Sequence, residues 1–301
     1  MSKKEKKKAG PVYLIPVLVG FFLLSAVLAV YFFLVTQNDK KEDLSNQPVR
    51  VLMLGNDYMV INDVPDMVRQ IFGSSGIKRP VEIKSIALPD GRYGIAQHLQ
   101  SQGFEKLTDK TSRWDFVVLQ DSPEKILNNP YEVLKDIRAV KGKLKGAGTR
   151  FVFMMPWASF QEKTRQKVIS AVVGKMANNL SLRVAPAGDL IFRVQERYPD
   201  FKLYMDDNRM ASADGAWIAA ASIYSVLTGE APTSGRAEVF YAYGMDKKKR
   251  LLSIPENELE GVCRMVFAGV REGNRGHRLS LQKGASREFG VLREKAGAKG
   301  N

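Results

Sequence analysis

The sequence predicts an α/β fold with a five-stranded parallel sheet, preceded by one membrane-spanning helix. Between residues 49 and 185, five short runs of β-branched and apolar residues alternate with segments whose apolar residues recur at helical spacing. Such alternation is typical of a parallel sheet that helices cover on both faces. An uncharged apolar segment near the N-terminus predicts the membrane span.

The apolar segment, residues 11–36, is about as long as a helix that crosses a bilayer. Residues 1–10 are rich in lysine, so the positive-inside rule places them in the cytoplasm and the rest of the chain on the periplasmic or extracytoplasmic side. A cleaved signal peptide is the alternative, because Val27-Leu28-Ala29 has the form of a cleavage site. The apolar run continues to Val35, which favours an uncleaved anchor in the cytoplasmic (inner) membrane.

The rest of the chain divides by composition. Residues 37–48 are predicted to be a polar linker, residues 49–272 the folded domain, and residues 273–301 a basic, disordered tail. The formal net charge of +14 comes largely from the two ends. Because no interleaving of basic and aromatic residues accompanies the charge, nucleic-acid binding is not predicted. The single cysteine, Cys263, excludes an intrachain disulfide and is expected to be buried.

Most of the predicted strands are short apolar runs that end at a turn or at a polar residue. The first run ends at Gly55, the third is bounded by charged residues, and the fifth stops at Pro186. Runs of this length and β-branched content are typical of strands buried in a parallel sheet. The predicted strands are Val49–Leu54, Val81–Ala87, Phe116–Leu119, Arg150–Met155 and Leu182–Ala185.

The predicted helices have apolar residues three or four positions apart. The first follows a start signal at Asn62-Asp63-Val64-Pro65, the sixth is rich in alanine, and the last follows Pro255. The predicted helices are Val64–Phe72, Gly94–Gln102, Tyr131–Leu144, Gln161–Leu180, Asp189–Arg197, Ser212–Leu227 and Asn257–Arg271.

A polar pair, Asn56 and Asp57, comes directly after the first strand and the Gly55 turn. In open α/β sheets, ligands bind in the crevice outside the carboxyl ends of the strands. The pair is therefore placed at the mouth of a site. An ordinary loop between a strand and a helix is the alternative interpretation.

Five motifs, taken in order, resemble those of the SGNH, or GDSL-like, hydrolases. They are GNDYMVINDVP at 55–65, WDFVVLQDS at 114–122, FMMPWASF at 153–160, APAGDL at 185–190, and LYMDDNRMASADGAWIAAASIYSVLTGEAP at 203–232. The similarity is to the branch whose nucleophile motif reads Gly-Asn-Ser and whose last motif reads Asp-x-x-His-x-Ser-x-x-Gly. The resemblance implies a flavodoxin-like three-layer α/β/α sandwich and, in active members, ester or acyl hydrolysis by Ser, His and Asp.

The resemblance fails at the two reacting side chains. Asp57 occupies the position of the nucleophilic serine, and Met210 occupies that of the general-base histidine. A thioether cannot accept and return a proton, and a carboxylate in the nucleophile position repels the oxyanion that forms beside it. Shifting the register so that Asp206 is the acid places Arg209 at the base position, which does not restore a base. Catalysis of the family type is therefore expected to be close to nil.

Two histidines remain as replacement bases. His98 lies in the predicted helix Gly94–Gln102, where it is expected to face solvent or a neighbouring helix. His277 lies in the predicted mobile tail, which would not hold a base in the orientation that catalysis needs. Neither is predicted to be catalytic.

The resemblance also assigns binding positions around the site. Either Gly91 or Gly94 corresponds to the family's oxyanion-hole amide, and Gln120 to a polar side chain that faces the site, beside Asn56. Trp157 is expected either to wall the cleft or to lie in the core. No cofactor and no metal site is predicted.

Asp207 would orient the histidine in an active member of the family. Without that partner, it is expected to pair with Arg209, to cap the helix that begins near Ser212, or to face Asp57 across the cleft. Two carboxylates that close would raise one pKa and bind a cation. A plain helix start at Asp207 and Ser212 is the simpler interpretation.

Three functions are consistent with these observations. The first is a membrane-anchored, extracytoplasmic pseudoenzyme that binds a ligand or an envelope partner, either a polysaccharide or a protein. The second is an envelope enzyme of altered chemistry, such as a carbohydrate esterase or acyltransferase, that uses Asp57 or Asp207 as acid or base. The third is a structural component of an envelope assembly, in which the cleft has no role.

Overall fold

The structure, a computed structural model, describes residues 24–28, 47–88, 93–109, 112–144, 148–233, 238–239, 249–250 and 252–275. The chain forms two compact units, Met1–Gln47 and Pro48–Asn301. In the first unit, residues 24–28 are helical and exposed, and the remainder of the predicted membrane span at 11–36 lies outside the described residues. Within the ranges given above, no helix combines the length and the apolar character needed to cross a membrane.

The second unit is built on a five-stranded parallel sheet. Its strands lie in the order β2-β1-β3-β4-β5, which is the flavodoxin-like order. In the register of the sheet, Val51 of β1 pairs with Phe116 of β3, which pairs with Arg150 of β4. The strands are β1 (Val49–Gly55), β2 (Val81–Ala87), β3 (Phe116–Leu119), β4 (Arg150–Met154) and β5 (Arg183–Ala185).

Helices connect the strands and cover both faces of the sheet. They are α1 (Asp57–Val60), α2 (Val64–Ser74), α3 (Ile95–Leu99), α4 (Gln102–Leu107), α5 (Pro123–Asn128), α6 (Pro130–Lys143), α7 (Lys163–Leu180), α8 (Ala187–Arg197), α9 (Ala213–Thr228) and α10 (Glu256–Gly273). A short antiparallel pair, β6 (Glu238–Val239) and β7 (Lys249–Arg250), lies between α9 and α10 in the chain.

Alternating side chains of the strands divide the interior into two cores. Along β1, Val51 and Met53 belong to the core that contains α2, α8, α9 and α10, whereas Leu52 and Leu54 belong to the core that contains α3 to α7. Successive side chains of a strand point to opposite faces of the sheet, so a strand buried on both sides must be apolar throughout. This arrangement confirms the predicted layers of helix, sheet and helix.

The five predicted strands are confirmed, with ends that differ by at most one residue. The predicted helix Gly94–Gln102 is wrong, because the segment forms two helices, α3 and α4. The chain breaks at Ser101, whose side chain accepts a hydrogen bond from the Phe104 amide and so begins a second helix. The prediction also missed α1 and α5, which have four and six residues and are too short to show helical periodicity.

The outer edge of β5 is covered by one side chain at the end of α10. The Asn274 carboxamide accepts a hydrogen bond from the Val184 amide at 2.9 Å and donates one to the Val184 carbonyl at 2.8 Å. It also donates to the carbonyl of Val270, 2.8 Å away. Asn274 therefore satisfies backbone groups of the edge strand as a sixth strand would.

Candidate functional site

The first motif forms a tight turn between β1 and α1 at the carboxyl edge of the sheet. A Cβ atom on Gly55 would lie 2.6 Å from Met59 Sδ and 2.7 Å from Gln120 Oε1, so only glycine fits there. Asn56 is the N-cap of α1, and its side-chain oxygen accepts a hydrogen bond from the Tyr58 amide. Asp57 is the first residue of the helix and is 8% exposed. The turn thus places Asp57 just after β1, at the carboxyl edge of the sheet.

Asn56 and Gln120 are fully buried and are engaged with the protein itself. The Asn56 amide donates to Gln120 Oε1 at 2.9 Å, and the Asn56 side chain donates to the Tyr93 carbonyl at 2.9 Å. The Gln120 side-chain nitrogen donates to the Asp121 carbonyl at 2.8 Å. Both ends of both carboxamides therefore have partners inside the domain. The structure brings these two predicted residues together, but as a structural network.

His98 bonds the backbone of the same turn. Its prediction as a residue that faces solvent or a neighbouring helix was wrong, because the side chain is fully buried and its Nε2 lies 2.7 Å from the Gly55 carbonyl oxygen. A carbonyl only accepts, so Nε2 carries the proton in this contact. Burial lowers the pKa of His98, which keeps the ring neutral. The sequence did not indicate this contact, since 43 residues separate the partners.

Asp121 is a residue of this region that the sequence analysis missed. Its buried carboxylate accepts hydrogen bonds from the Ile95 and Ser122 amides and lies 3.6 Å from the Lys125 ammonium. Burial raises the pKa of Asp121. A Cβ atom on Gly94 would lie 2.6 Å from Asp121 Oδ2, so the carboxylate explains why glycine stands there. The Gly94 amide itself donates to Gln97 Oε1 at 2.9 Å.

The last motif forms a turn followed by a capped helix. Asp207 is exposed, and its Oδ1 accepts from the amides of Arg209 and Met210, each at 2.9 Å. Ser212, rather than Asp207, caps α9 by accepting from the Gly215 amide. Met210, in the base position, is buried. These bonds go to backbone amides rather than to the Arg209 guanidinium, so Asp207 forms a local turn, which none of the arrangements predicted for it describes.

Contacts between side chains and backbone join the first motif to the last. The ring of Tyr58 packs on that of Trp157 with centroids 4.8 Å apart, and the Trp157 indole donates to the Arg209 carbonyl. Asn62, which follows α1, donates to the Ala211 carbonyl at 3.0 Å. The two motifs therefore lie at one edge of the sheet, and Trp157 belongs to the core.

The aromatic pair lies among charged side chains. Burial is the main cause of the raised pKa of Tyr58, and the carboxylates of Glu124 and Asp57 raise it further, whereas Arg209 and Arg165 oppose the shift. Glu124 and Arg165 form an ion pair of 3.1 Å. The phenol therefore stays protonated at neutral pH, so it is a hydrogen-bond donor and not a base.

Two predicted positions cannot be placed, since Gly91 and His277 lie outside the described residues. Across the parts of the chain that are described, no group of three or more His, Cys, Asp or Glu side chains is arranged to hold a metal ion.

Comparisons with known proteins place this geometry in a fold family. No protein-family model matches the sequence, and no curated protein does. Among solved structures, a DUF4886 family protein from Bacteroides uniformis is 14% identical, with a TM-score of 0.54 over 74% of this chain and 95% of that one. The match covers most of both chains, so the two share a fold. The chain has an SGNH-like fold.

Two further structures similar to this SGNH-like domain have lower TM-scores. A candidate SGNH hydrolase from Slackia heliotrinireducens is 19% identical, with a TM-score of 0.49 over 60% of this chain and 98% of that one. A catalytic mutant of an acetylxylan esterase from Geobacillus stearothermophilus is 11% identical, with a TM-score of 0.46 over 59% of this chain and 93% of that one. These two likenesses establish no activity for this chain.

Proposed function

We propose that this chain is a non-catalytic SGNH-like protein that is anchored in the cytoplasmic membrane by residues 11–36 and binds an envelope partner on the extracytoplasmic side. The observation that carries the proposal is the use of the site's polar groups for internal bonds. The Asn56 and Gln120 carboxamides and the Gly94 amide all have partners within the domain.

The absence of turnover follows from the residues in the two reacting positions. Asp57 and Met210 replace the hydroxyl and the imidazole, and both side chains are buried. Removing even one triad member of a serine hydrolase lowers the turnover by about 10⁴- to 10⁶-fold. The residual rate in such variants comes from the oxyanion hole. Here the Gly94 amide, one of its two candidate donors, is already bonded to Gln97.

The same bonds favour a partner that binds the surface of the domain. A small ligand that reached Asn56 or Gln120 would have to replace hydrogen bonds that are already made in a fully buried environment. A protein that contacts the outer surface does not carry that cost. A protein partner is therefore favoured over a ligand in the cleft, and an envelope polysaccharide is the alternative.

The test is a panel of acetyl and longer acyl esters, assayed with the full-length chain in detergent. The panel includes the wild type, Asp57→Ala, and the double variant Asp57→Ser/Met210→His. We expect the wild type and Asp57→Ala to hydrolyse the esters at the uncatalysed rate, because the domain has no nucleophile and no base in place.

Robust turnover by the wild type would overturn the proposal. If that turnover were lost in Asp57→Ala, the envelope enzyme of altered chemistry would replace it. Turnover gained only in the double variant would support it, since it would show that the scaffold accepts a triad that the natural chain lacks. Circular dichroism of each variant establishes that it is folded.

A further inference from the structure

A groove lies between the ends of α6 and α7. It has a volume of about 520 Å³ and is lined by Arg138, Lys141, Gly142, Asn179, Leu180 and Ser181. Its charged lining residues, Arg138 and Lys141, are both cationic. We call it the α6–α7 groove.

The groove lies at the amino edge of the sheet, opposite the candidate site. The end of α6 leads to Arg150, the first residue of β4, and the end of α7 leads to Arg183, the first residue of β5. Val49, the first residue of β1, lies at the same edge, because parallel strands begin there. The chain therefore enters the domain from the predicted linker, residues 37–48, at the edge that carries the groove.

The two cations are bonded to neutral oxygens. The Arg138 guanidinium donates to Asn179 Oδ1 at 2.7 Å, and the Lys141 ammonium donates to the Leu180 carbonyl at 2.7 Å. By contrast, Arg165 and Arg193 donate to carboxylates. Bonds to neutral oxygens leave the positive charges of Arg138 and Lys141 uncompensated, and most of their N–H donors remain for a further acceptor.

Part of this arrangement serves the helix end. A cation near the last turn of a helix stabilises its free carbonyls, and Lys141 does this for α7. This role uses one of the three N–H donors of the Lys141 ammonium, and it does not account for the position of Arg138. Partial burial also lowers the pKa of Lys141, because it disfavours the charged ammonium. A bound anion would stabilise that charged form.

We propose that the α6–α7 groove binds the phosphate of anionic phospholipid headgroups, in the membrane to which residues 11–36 attach the chain. Phosphate oxygens accept strong, charge-assisted hydrogen bonds from arginine and lysine. Twelve residues span at most about 40 Å at roughly 3.3–3.6 Å per residue, so the covalent length of the linker limits the distance between the anchor and the start of β1. The inference rests on the anchor in the proposed function.

The test is hydrogen exchange of the full-length chain in two kinds of phospholipid nanodisc. One contains phosphatidylcholine alone, and the other contains phosphatidylcholine mixed with phosphatidylglycerol. We expect the peptides that cover the ends of α6 and α7 to exchange more slowly in the anionic nanodiscs only. Each cation near an anionic surface strengthens the attraction to that surface roughly fivefold. The slowing of exchange is therefore expected to be largest when both Arg138 and Lys141 are present.

Three variants distinguish binding by the groove cations from a general attraction between the positive domain and the anionic surface. Arg138→Gln/Lys141→Gln is expected to abolish the slowing, and Arg138→Gln alone to reduce it roughly fivefold without altering the bond at the α7 end. The control variant Lys163→Gln/Lys167→Gln removes the same amount of charge from the other end of α7. It is expected to retain the slowing of exchange. Equal exchange in both nanodiscs, or equal losses in the groove and control variants, would overturn the proposal.

Two further outcomes identify other sources of the effect. Slowing by inorganic phosphate in the phosphatidylcholine nanodiscs would assign the groove to free phosphate and overturn the headgroup proposal. A chain that does not elute with nanodiscs would overturn the anchor. In that case the groove is tested by flotation of the same variants on phosphatidylglycerol vesicles. Vesicle binding that is lost only in the groove variants would support the proposal, and absence of vesicle binding by the wild type would overturn it.

Discussion

Asp57 occupies the position that the resemblance assigns to a nucleophilic serine, and it has a local structural role there. It is the first residue of α1, directly after the N-cap Asn56. A carboxylate in the first turn of a helix is favourable, because the N-terminal amides carry partial positive charge. The Asp57 side chain therefore fits the local structure that surrounds it.

Gly94 and Asp121 allow a direct test of packing at the same scale. Gly94→Ala is expected to lower the free energy of unfolding by about 1–3 kcal/mol, because the added Cβ atom would overlap the buried Asp121 carboxylate. The measurement is urea denaturation. Gly73→Ala in α2 is the matched control, since a Cβ there meets nothing within 4 Å, and stability should be unchanged or higher by up to about 1 kcal/mol. Equal effects of the two substitutions would contradict the prediction.

His98 predicts a dependence of stability on pH. Its pKa in the folded domain is lowered from the ordinary value of 6.5, by burial first and then by Lys125 of α5. Above pH 6.5 the ring is neutral in both states, so its contribution is constant. As the pH falls below that value, the unfolded chain binds a proton that the folded domain does not. The free energy of unfolding then decreases by up to about 1.4 kcal/mol per pH unit, until the lowered folded pKa is reached.

The measurement compares the wild type with His98→Gln between about pH 5 and pH 7.5. Glutamine keeps a donor for the Gly55 carbonyl but does not titrate. The carboxyls of Asp63, Asp121 and Asp214, whose raised pKa values act in the opposite direction, are common to both proteins and cancel in the difference. A difference that does not change with pH would show that His98 is not buried neutral.

At the scale of the element, Asn274 determines how the sheet ends. It bonds both backbone groups of Val184 in β5 and the carbonyl of Val270. Asn274→Ala is expected to lower the free energy of unfolding by about 1–3 kcal/mol, because buried backbone groups lose their partners. Thermal unfolding measures the change. Asn178→Ala, on the exposed side of α7, is the control, and a comparable loss there would argue against the edge role of Asn274.

The elements also show where prediction from sequence succeeded and where it failed. Most of the strands were correct because they are apolar runs buried on both faces, which is a local property of the sequence, whereas β2 alternates apolar with polar residues and is only partly buried. Gly94–Gln102 was predicted as one helix, because its spacing does not show that Ser101 begins a second. The signal for α5 was present in Ser122 and Pro123, a capping residue before a proline, although the helix is too short to be periodic.

At the scale of the whole molecule, both cores lie in the unit that begins at Pro48. A chain without residues 1–47 is therefore expected to fold, with a thermal midpoint within a few degrees of that of the full chain. It should also leave the membrane fraction on cell fractionation, whereas the full chain should resist extraction by high salt. Loss of the cooperative thermal transition would show that the N-terminal unit contributes to the fold. A truncated chain that stayed with the membrane would argue against the proposed anchor.

The sequence by itself determined the order of the five strands, most of the helices between them, and the motifs at the carboxyl edge. These are local properties, set by periodicity and by the chemistry of single side chains. Only the tertiary structure decided that Asn56 bonds Gln120, 64 residues away, and that His98 lies beneath the Gly55 turn. Such contacts join distant segments and form only when the sheet assembles. For that reason the sequence could locate the site but could not show that its polar groups are bonded to one another.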